Sequence, residues 1–503
     1  MEETKLGRTL RWLLGLGLLV AFTLVCVGVL YASHRLLELA WWLLALIVLA
    51  VVLAIWLLVG KAVLRLWRGL ALSKKFLPIA LFLVFFAVSA FFALAWQTEQ
   101  RSDFLEMYRA AELINLGDFS FNQKAYWHFF AYQTPFTIYE AFMLKLFGPS
   151  LVPLLLVNAA AMAGSNLLVY LFTRRVTGSA VAGLFASFGY LIYTGQYLQA
   201  NALTSDHLST LGLYLGVYLV LTAITRLPQP RAWLVVGLGG LIAGLGNLAR
   251  PAGIVVMVAL TGTLILVPVM RRAKAESWRK VGWTALAAVL TLAVYVGTGQ
   301  AAGQAIQASG INPAGASNNL PEWKFVLGLR GQGDTNPPID EIGAYLPQPK
   351  PDARETAQRA LRNNIHQLPD TWVWIIARQV TSMWGLNNTA YFMFWPQLSS
   401  QGVYAMPDRQ SATVAHYLVR WERALFLPTV LLAAMGGLML TRQRRWDYLA
   451  AFLGCFVIAF VAAHLVIEVQ PRYRYLAMPA IFCLTGPVWA WATSHRKRFG
   501  LAR

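Results

Sequence analysis

The sequence of 503 residues has little cysteine and little charge. Its three cysteines are Cys26, Cys455 and Cys483, and charged side chains make up 13% of the chain. Each cysteine falls inside an apolar run, which is typical of a small core side chain rather than of a disulfide framework or a metal site. No stretch has the spacing of a zinc site, a Walker loop or a dinucleotide-binding fingerprint. These absences argue against a disulfide scaffold and against a nucleotide-dependent enzyme.

Apolar residues are abundant instead. They account for 58% of the chain, and the mean hydropathy is +0.54. Runs of about twenty apolar residues are long enough to cross a bilayer as helices, so the sequence predicts an all-α polytopic membrane protein with about twelve transmembrane helices. The predicted spans are 12–32, 39–60, 76–96, 151–173, 179–195, 207–225, 232–248, 252–270, 281–298, 424–441, 448–467 and 475–494.

The distribution of charge predicts how the chain is oriented. If both termini are cytoplasmic and the spans alternate, the inner segments hold about 24 of the 42 basic residues and about 4 of the 22 acidic ones. The whole net charge of +20 then lies on the cytoplasmic face, where it meets anionic lipid. We therefore expect a multi-pass protein of the plasma membrane and no nucleic-acid partner.

This topology divides the chain into four regions. They are an N-terminal two-helix membrane extension (1–75), a transmembrane core (76–298) that contains a first outer loop (97–150), an extracytoplasmic region (299–423), and C-terminal transmembrane helices with a basic tail (424–503). In the first outer loop, two amphipathic segments ending at Gly117 and Gly148 are expected to form helices on the membrane surface. The late outer region should begin irregularly and continue as a polar helix. Residues 370–386 either span the membrane or lie on it; an interfacial helix is preferred, because a thirteenth span would reverse the charge pattern of everything after it.

Charged side chains are rare inside the spans and gather where spans end on the outer side. Asp103 follows the third span, and Arg250 lies in a tight turn. Asp206 opens the sixth span, while Arg472 and Arg474 lie between the last two. Ionisable groups inside the membrane usually mark an ion or proton pathway, so their scarcity argues against a coupled pump.

Each of these groups also has a purely structural interpretation. Asp206 would cap a helix, which contributes about 0.5–2 kcal/mol, and Asp103 would be a solvated loop acid. The basic residues would be interfacial anchors, in the case of Arg472 and Arg474, or partners of neighbouring acids, in the case of Lys124 and Arg250. Taken together, carboxylates and cations that converge on one membrane face indicate a site for an anionic ligand.

The order of these segments resembles the C-type glycosyltransferases, the multispanning enzymes that use polyprenyl-phosphate sugars. The branch with protein O-mannosyltransferases and the aminoarabinose transferase of lipid A is the most similar. The resemblance covers most of residues 76–490. Its motifs are "SDFLEMYRAAELINLGDFS", "YQTPFTIYEAFMLKLFG", "FTRRVTGSAVAGLFA", "LTSDHLSTLGLYLG", "LARPAG" and "RYRYLAMPA". Two positions depart from the family pattern: Phe104 replaces the second acid, and the proline pair is reduced to Thr134-Pro135.

The resemblance implies the roles of particular residues. Asp103 would be the general base, and Asp206 would orient the acceptor or support the base. The donor phosphate would be held by cations, with Arg472 and Arg474 first and Arg250 and Lys124 as lesser candidates. The remaining candidate substrate contacts are Glu106, Tyr108, His128, His207, Tyr473 and Tyr475, of which the histidines are favoured as structural groups. One base with direct displacement implies inversion at the anomeric carbon.

The expected partners are a polyprenyl-phosphate sugar, membrane lipids and an acceptor in the cell envelope that is a glycan, a lipid or a protein. No cofactor is required, because the lipid-linked donor is already activated; a divalent cation is possible but nothing in the sequence indicates one. The active site is expected on the extracytoplasmic side. The alternatives are a transporter or flippase of lipid-linked sugars and a non-catalytic envelope scaffold. Neither midplane polar residues nor internal repeats, which the first would show, are evident.

Overall fold

The computed structural model describes residues 5–34, 76–95, 100–270, 276–330, 346–385 and 409–495, and all regular structure in these ranges is helical. The first eight helices are α1 (Lys5–His34), α2 (Leu77–Ala95), α3 (Asp103–Asn115), α4 (Ala125–Phe129), α5 (Thr134–Phe147), α6 (Leu151–Thr177), α7 (Ala180–Ile192) and α8 (Asp206–Ala223). The others are α9 (Pro230–Ala249), α10 (Gly253–Met270), α11 (Glu276–Ala308), α12 (Trp323–Gly328), α13 (Ala353–Val380), α14 (Arg409–Arg442), α15 (Tyr448–Ala463) and α16 (Met478–His495). The predicted all-α class is confirmed.

Short turns of other helix types connect these elements. The 3₁₀ turns are Ser120–Gln123, Ala131–Gln133, Thr194–Gln199, Ile224–Arg226 and Pro471–Leu476, and a π turn covers Thr381–Gly385. The turn Pro471–Leu476 contains the predicted arginine pair, so its geometry decides where both side chains point.

Eight helices in the described part of the chain are long and apolar enough to cross a membrane. They cover Lys5–Leu30, Leu77–Ala95, Leu151–Thr177, Asp206–Arg226, Pro230–Ala249, Gly253–Met270, Trp278–Ala308 and Tyr417–Arg442. Three further predicted spans correspond to the shorter apolar helices α7 and α15 and to α16. The predicted span 39–60 lies outside the described residues.

The main apolar core joins both ends of the chain. One face of α1, with Leu14, Leu18, Phe22 and Val25, is buried against α14 and α15. These residues recur every three or four positions, which is the spacing of one helix face. The first helix is therefore packed into the bundle together with the C-terminal helices. The three cysteines are free, as the sequence predicted, and Cys483 is buried in this core.

The two helices predicted in the first outer loop are present, and both end at a glycine. After α3, the N–H of Gly117 donates to the Ile114 carbonyl (3.1 Å) and the N–H of Asp118 to that of Leu113 (3.0 Å). This pair of bonds is a Schellman cap, and it needs the left-handed φ of 74° found at Gly117. Gly148 has a φ of 78° directly after α5. A glycine that can adopt a left-handed φ therefore marks the end of each helix, and both glycines are visible in the sequence.

The late outer region is more helical than predicted. Irregular structure was expected from residue 299, but α11 continues to Ala308, because the alanines and glutamines after Gly303 are strong helix formers. The polar segment and residues 370–380, expected to belong to two helices, form one helix, α13, which continues through Pro369 and is followed by the π turn Thr381–Gly385. Proline removes one helix hydrogen bond and so favours a break, but α13 contains Pro369 in its interior.

The two outer regions pack together into a second apolar core. Phe104, Met107 and Trp127 of the first loop lie in one buried cluster with Leu320 and Trp323 of the late region. Polar contacts reinforce it. The side-chain amide of Asn312 donates to the Trp127 carbonyl (3.2 Å), and that of Asn319 donates to the His128 carbonyl (2.7 Å). This outer layer places residues from distant parts of the chain beside the ends of the long helices.

Helices α8 and α9 approach each other closely at paired glycines. A Cβ on Gly246 of α9 would lie 2.9 Å from the backbone nitrogen of Leu213 in α8, closer than side chains tolerate. Small residues at such crossings allow two backbones to pack in a membrane. Asp206 is the first residue of α8 and Arg250 directly follows α9, so this crossing brings their side chains together.

Candidate active site

A cavity of about 490 Å³ lies between the outer layer and the ends of the long helices. Three carboxylates and three cations line it together with aromatic and apolar side chains. The charged residues are Asp103, Asp206, Glu468, Arg250, Lys324 and Arg472. They come from four separate parts of the chain, and four of them were candidates from the sequence.

Asp103 is the first residue of α3, and its side chain is 31% exposed at the cavity. Its Oδ2 lies 3.8 Å from Nη2 of Arg472, which comes from the turn between α15 and α16. This distance is within ion-pair range but beyond a hydrogen bond, so both groups keep room for a ligand. Ser102, directly before, has a φ of 52°, a conformation that favours glycine. Backbone strain of this kind is common at functional sites.

Asp206 and Arg250 form a close ion pair. Nη1 of Arg250 lies 2.6 Å from Oδ1 of Asp206, and the side chains are 24% and 7% exposed. The other carboxylate oxygen, Oδ2, accepts a hydrogen bond from the hydroxyl of Thr204 (2.9 Å). The Thr204 oxygen in turn accepts one from the N–H of Asp206 (3.2 Å). The helix end is thus served by Thr204, while Asp206 binds a cation rather than acting as a simple cap.

A second ion pair links the late outer region to the last helices. The ammonium of Lys324 contacts Oε2 of Glu468 and lies 3.3 Å from the hydroxyl of Tyr473. Burial lowers the pKa of Lys324, but Tyr473 and Glu468 outweigh it and leave the pKa above its ordinary value. Burial raises the pKa of Glu468, but Lys324 outweighs it and leaves the pKa lowered. Both groups therefore stay charged near neutral pH.

Three cations surround the ring of Tyr473. The charged ends of Arg250, Lys324 and Arg472 lie 4.9, 5.6 and 5.7 Å from its centre. Cations within about 6 Å of an aromatic face are attracted by the ring. The tyrosine therefore holds three positive charges close together at one wall of the cavity, although each repels the others. A phosphate group placed there would meet all three.

Arg474 does not reach this cavity, contrary to expectation. Its Nη2 lies 2.5 Å from Glu422 of α14, and its Nη1 donates to the Met383 carbonyl (3.1 Å). The sequence predicted Arg472, Arg474 or both as the phosphate clamp, because the segment lies between the last two spans. The 3₁₀ turn has about three residues per turn, which separates Arg472 from Arg474.

Other candidates also lie outside the cavity lining. Lys124 forms an exposed ion pair with Glu106 (3.4 Å), so both lie on the surface as partners of each other. His207 is fully buried, and its ring packs edge-on against Tyr475 at 4.9 Å. Two more candidates, Tyr108 on α3 and His128 on α4, are absent from the cavity lining.

Several cavity residues were not candidates from the sequence. Lys324 comes from the short helix α12 in the middle of the late outer region, where no motif distinguishes it. Tyr132 and Gln133 are the first two residues of the motif "YQTPFTIYEAFMLKLFG", so their place in that motif is the signal that could have found them. Glu468 and His464 lie in the "HLVIEVQPRYRY" segment, and their position at the end of α15 brings them to the cavity.

The membrane-length helices and the charged cavity fit the class suggested by the sequence motifs, the polytopic membrane glycosyltransferases of C type. Residues 135–296 match the model of a family described as dolichyl-phosphate-mannose-protein mannosyltransferase. The resemblance to this branch is therefore confirmed over that part of the chain. The match includes Asp206 and Arg250, while Asp103, Lys324 and Arg472 lie outside it. A comparison with curated proteins found no match.

Two solved structures from Archaeoglobus fulgidus are also similar. One is the oligosaccharyltransferase AglB in complex with an inhibitory peptide and a dolichol-phosphate. Its TM-score is 0.48 at 15% identity, covering 85% of this chain and 51% of that one. The other is an oligosaccharyltransferase in complex with Zn and sulfate. Its TM-score is 0.48 at 14% identity, covering 84% and 50%. The chain thus spans about half the length of these proteins.

Proposed function

We propose that the protein is a membrane glycosyltransferase that moves a sugar from a polyprenyl-phosphate donor to an acceptor hydroxyl in the cell envelope. The family match over 135–296 supports a glycosyltransferase that uses a lipid-phosphate sugar. The extracytoplasmic position of the cavity rests on the charge distribution of the chain.

The reaction needs one base and a set of cations. The acceptor oxygen forms a bond to the anomeric carbon of the sugar, and its proton passes to the carboxylate of Asp103. The bond from that carbon to the phosphate oxygen breaks, and polyprenyl phosphate leaves as an anion. Because this leaving group is stable at neutral pH, no strong general acid is required. Displacement in a single step inverts the anomeric carbon.

The observation that carries this proposal is the proximity of Asp103 and Arg472 in one cavity. Their charged ends lie 3.8 Å apart, so a phosphate bound to Arg472 would hold the sugar next to the Asp103 carboxylate. Positioning of this kind accounts for much of the rate enhancement in enzymes. An arginine fork also matches two phosphate oxygens at once, which fixes the direction of the leaving group.

Arg250 and Lys324 complete the proposed phosphate site. Both lie with Arg472 around the Tyr473 ring, and each has a carboxylate partner that balances its charge. Asp206 holds Arg250 in place and thereby supports the site without touching the acceptor. The proposed clamp therefore consists of Arg472, Arg250 and Lys324, and it omits Lys124 and Arg474.

Within the described ranges, no group of three His, Cys, Asp or Glu side chains is placed to hold a metal ion. The proposed step uses only side chains of the chain itself. Sugar transfer measured with and without EDTA tests whether a divalent cation takes part.

The test is sugar transfer by the purified, reconstituted protein with defined polyprenyl-phosphate sugars and a panel of acceptors. Asp103→Asn should reduce transfer by at least about 10²-fold, because general-base catalysis contributes about 10²–10⁴-fold. Expression and thermal stability should stay close to wild type. If the variant keeps half of the activity, Asp103 is not the base. Movement of the intact lipid-linked sugar across the bilayer without transfer would instead identify a transporter.

A further inference from the structure

The turn Pro471–Leu476 directs neighbouring side chains to different surroundings. Arg472 and Tyr473 line the cavity, whereas Arg474 is 5% exposed and Tyr475 is 4% exposed in the interior. With about three residues per turn, successive side chains diverge by about 120°. Arg472 and Tyr473 can therefore face the cavity only while Arg474 points away from it. Whatever holds Arg474 also sets the direction of Arg472.

Arg474 is held by three elements at once. Its Nη2 donates to Oε1 of Glu422 on α14 (2.5 Å), and its Nη1 donates to the Met383 carbonyl in the π turn (3.1 Å). The hydroxyl of Tyr193, which follows α7, donates to the same Glu422 oxygen (2.8 Å). The guanidinium also lies 5.3 Å from the centre of the Phe426 ring. The fork thus has a defined partner on each side.

The surroundings leave no room for another arrangement. The side chains of Arg474 and Glu422 are 6% and 2% exposed. A Cβ on Gly195 would overlap both Oε1 of Glu422 and the ring of Tyr193, so this position must lack a side chain. A buried charge without its partner is strongly unfavourable, which ties the two groups together. The planar fork also has one orientation in which both of its bonds form.

We propose that Glu422, Arg474 and Tyr193 are positioning residues that set the rotation of the turn and thereby aim Arg472 and Tyr473 at the donor phosphate. This inference rests on the proposed function, because the group that Arg472 would meet is the donor of that reaction. The network touches neither the cavity nor the proposed reacting atoms. It acts on the donor only through Arg472 and Tyr473.

The test is a double-mutant cycle on the donor KM, measured with the full-length reconstituted protein. Arg472→Lys and Arg474→Lys should each raise the donor KM about tenfold, the lower end expected for a hydrogen bond to a charged group. The double variant should exceed Arg472→Lys by no more than about twofold, because Arg474 acts through Arg472. Independent effects that multiply to about a hundredfold would overturn the inference.

A purely structural role would give a different pattern. Glu422→Gln should match Arg474→Lys in its effect on KM and leave kcat less affected. The matched control is Thr441→Val. Thr441 lies in the same helix as Glu422, about 28 Å away along the axis, and its hydroxyl oxygen accepts a hydrogen bond from the Trp446 indole N–H. The substitution should lower thermal stability without changing the donor KM. If Glu422→Gln lowers thermal stability and leaves the donor KM unchanged, the network stabilises the fold but does not position Arg472.

A milder variant covers the case in which Arg474→Lys does not fold. Tyr193→Phe removes only the hydroxyl that donates to Glu422, and it should raise the donor KM about threefold, less than Arg474→Lys, because the ion pair of Arg474 with Glu422 remains. An unchanged KM there would contradict the positioning role. An unchanged KM in Arg472→Lys alone would instead contradict the phosphate clamp of the proposed function. The two failures are therefore distinguishable.

Discussion

At the scale of single residues, the ring of Tyr473 is shared by three cations of the cavity. Three cations lie within 6 Å of its ring centre, and each also contacts a carboxylate. The loosest of these pairs is Arg472 with Asp103 (3.8 Å), and the pair of Arg250 with Asp206 is much closer (2.6 Å). A ligand phosphate would therefore recruit Arg472 first, at the least cost in broken contacts.

Lys324 should contribute to donor binding. Lys324→Ala is expected to weaken donor affinity about tenfold or more, because a hydrogen bond to a charged group contributes about 1.5–3 kcal/mol. Lys124→Ala is the matched control, since Lys124 also pairs with a glutamate but lies on the exposed surface. It should change the affinity by less than about twofold. Equal effects in nanodisc binding assays would remove Lys324 from the proposed clamp.

Asp206→Asn separates an ion-pair role from a capping role. Asparagine caps a helix as well as aspartate does, so a cap alone would tolerate the change. Because Asp206 is buried against Arg250, and an amide oxygen accepts a weaker hydrogen bond than a carboxylate, we expect a loss of about 1–1.5 kcal/mol in the free energy of unfolding. Chemical unfolding of the purified protein in detergent measures this difference. A loss under about 0.5 kcal/mol, which is typical of an exposed position, would contradict the ion-pair role.

At the scale of elements, the crossing of α8 and α9 connects membrane packing to the cavity. Gly246 and Gly212 let the two backbones meet, and one turn beyond Gly246 the chain reaches Arg250. Asp206 lies at the corresponding end of α8. A substitution at these glycines, which lie outside the cavity lining, should therefore also disturb the ion pair of Asp206 with Arg250.

Gly246→Leu tests this connection. The side chain would collide with the backbone of α8, and overpacking of this kind costs about 1–3 kcal/mol. We expect lower thermal stability together with weaker donor binding. Gly237→Leu is the control on the same helix, because a Cβ there meets no atom within 4 Å. Unchanged donor binding in a folded Gly246→Leu protein would show that the crossing does not control the site.

At the scale of the whole molecule, the predicted orientation rests on charge alone. About 24 basic and about 4 acidic residues on one face account for the net charge of +20. The structure adds that the first and late outer regions share one apolar core, so they lie on the same side of the bundle. The topology predicted from the charge distribution also places both regions on the outer side.

Cysteine labelling in intact cells tests the orientation, in a variant without the three native cysteines. Cysteines at Ser120 and Ser317 should react with an impermeant reagent, whereas cysteines at Thr177 and Gln443 should react only after the cells are opened. Ser120 and Ser317 lie in the outer regions. Thr177 is the last residue of α6 and Gln443 directly follows α14, both at the predicted cytoplasmic face. Labelling of Thr177 with protection of Ser120 would reverse the assignment and every site proposed here.

Local patterns in the sequence determined most of the helices. Apolar length predicts the membrane-length helices, and glycine at Gly117 and Gly148 predicts where α3 and α5 end, because these properties depend on neighbours in the chain. The charge pattern and the order of motifs also led to Asp103, Asp206, Arg250 and Arg472, which lie together in one cavity. Helix continuity through Pro369 was missed, because local propensity favours a break there.

Only the tertiary structure decided which charges meet. Lys324 reaches Glu468 across 144 residues, and Arg474 reaches Glu422 across 52, and no local pattern encodes either contact. The arginine pair shows why. "RYR" has the same letters in an extended chain and in a 3₁₀ turn, but the two arginines share a face only in the first. Helix α14 and the π turn pack around Arg474 in the 3₁₀ conformation. Of the two arginines, only Arg472 therefore lines the cavity.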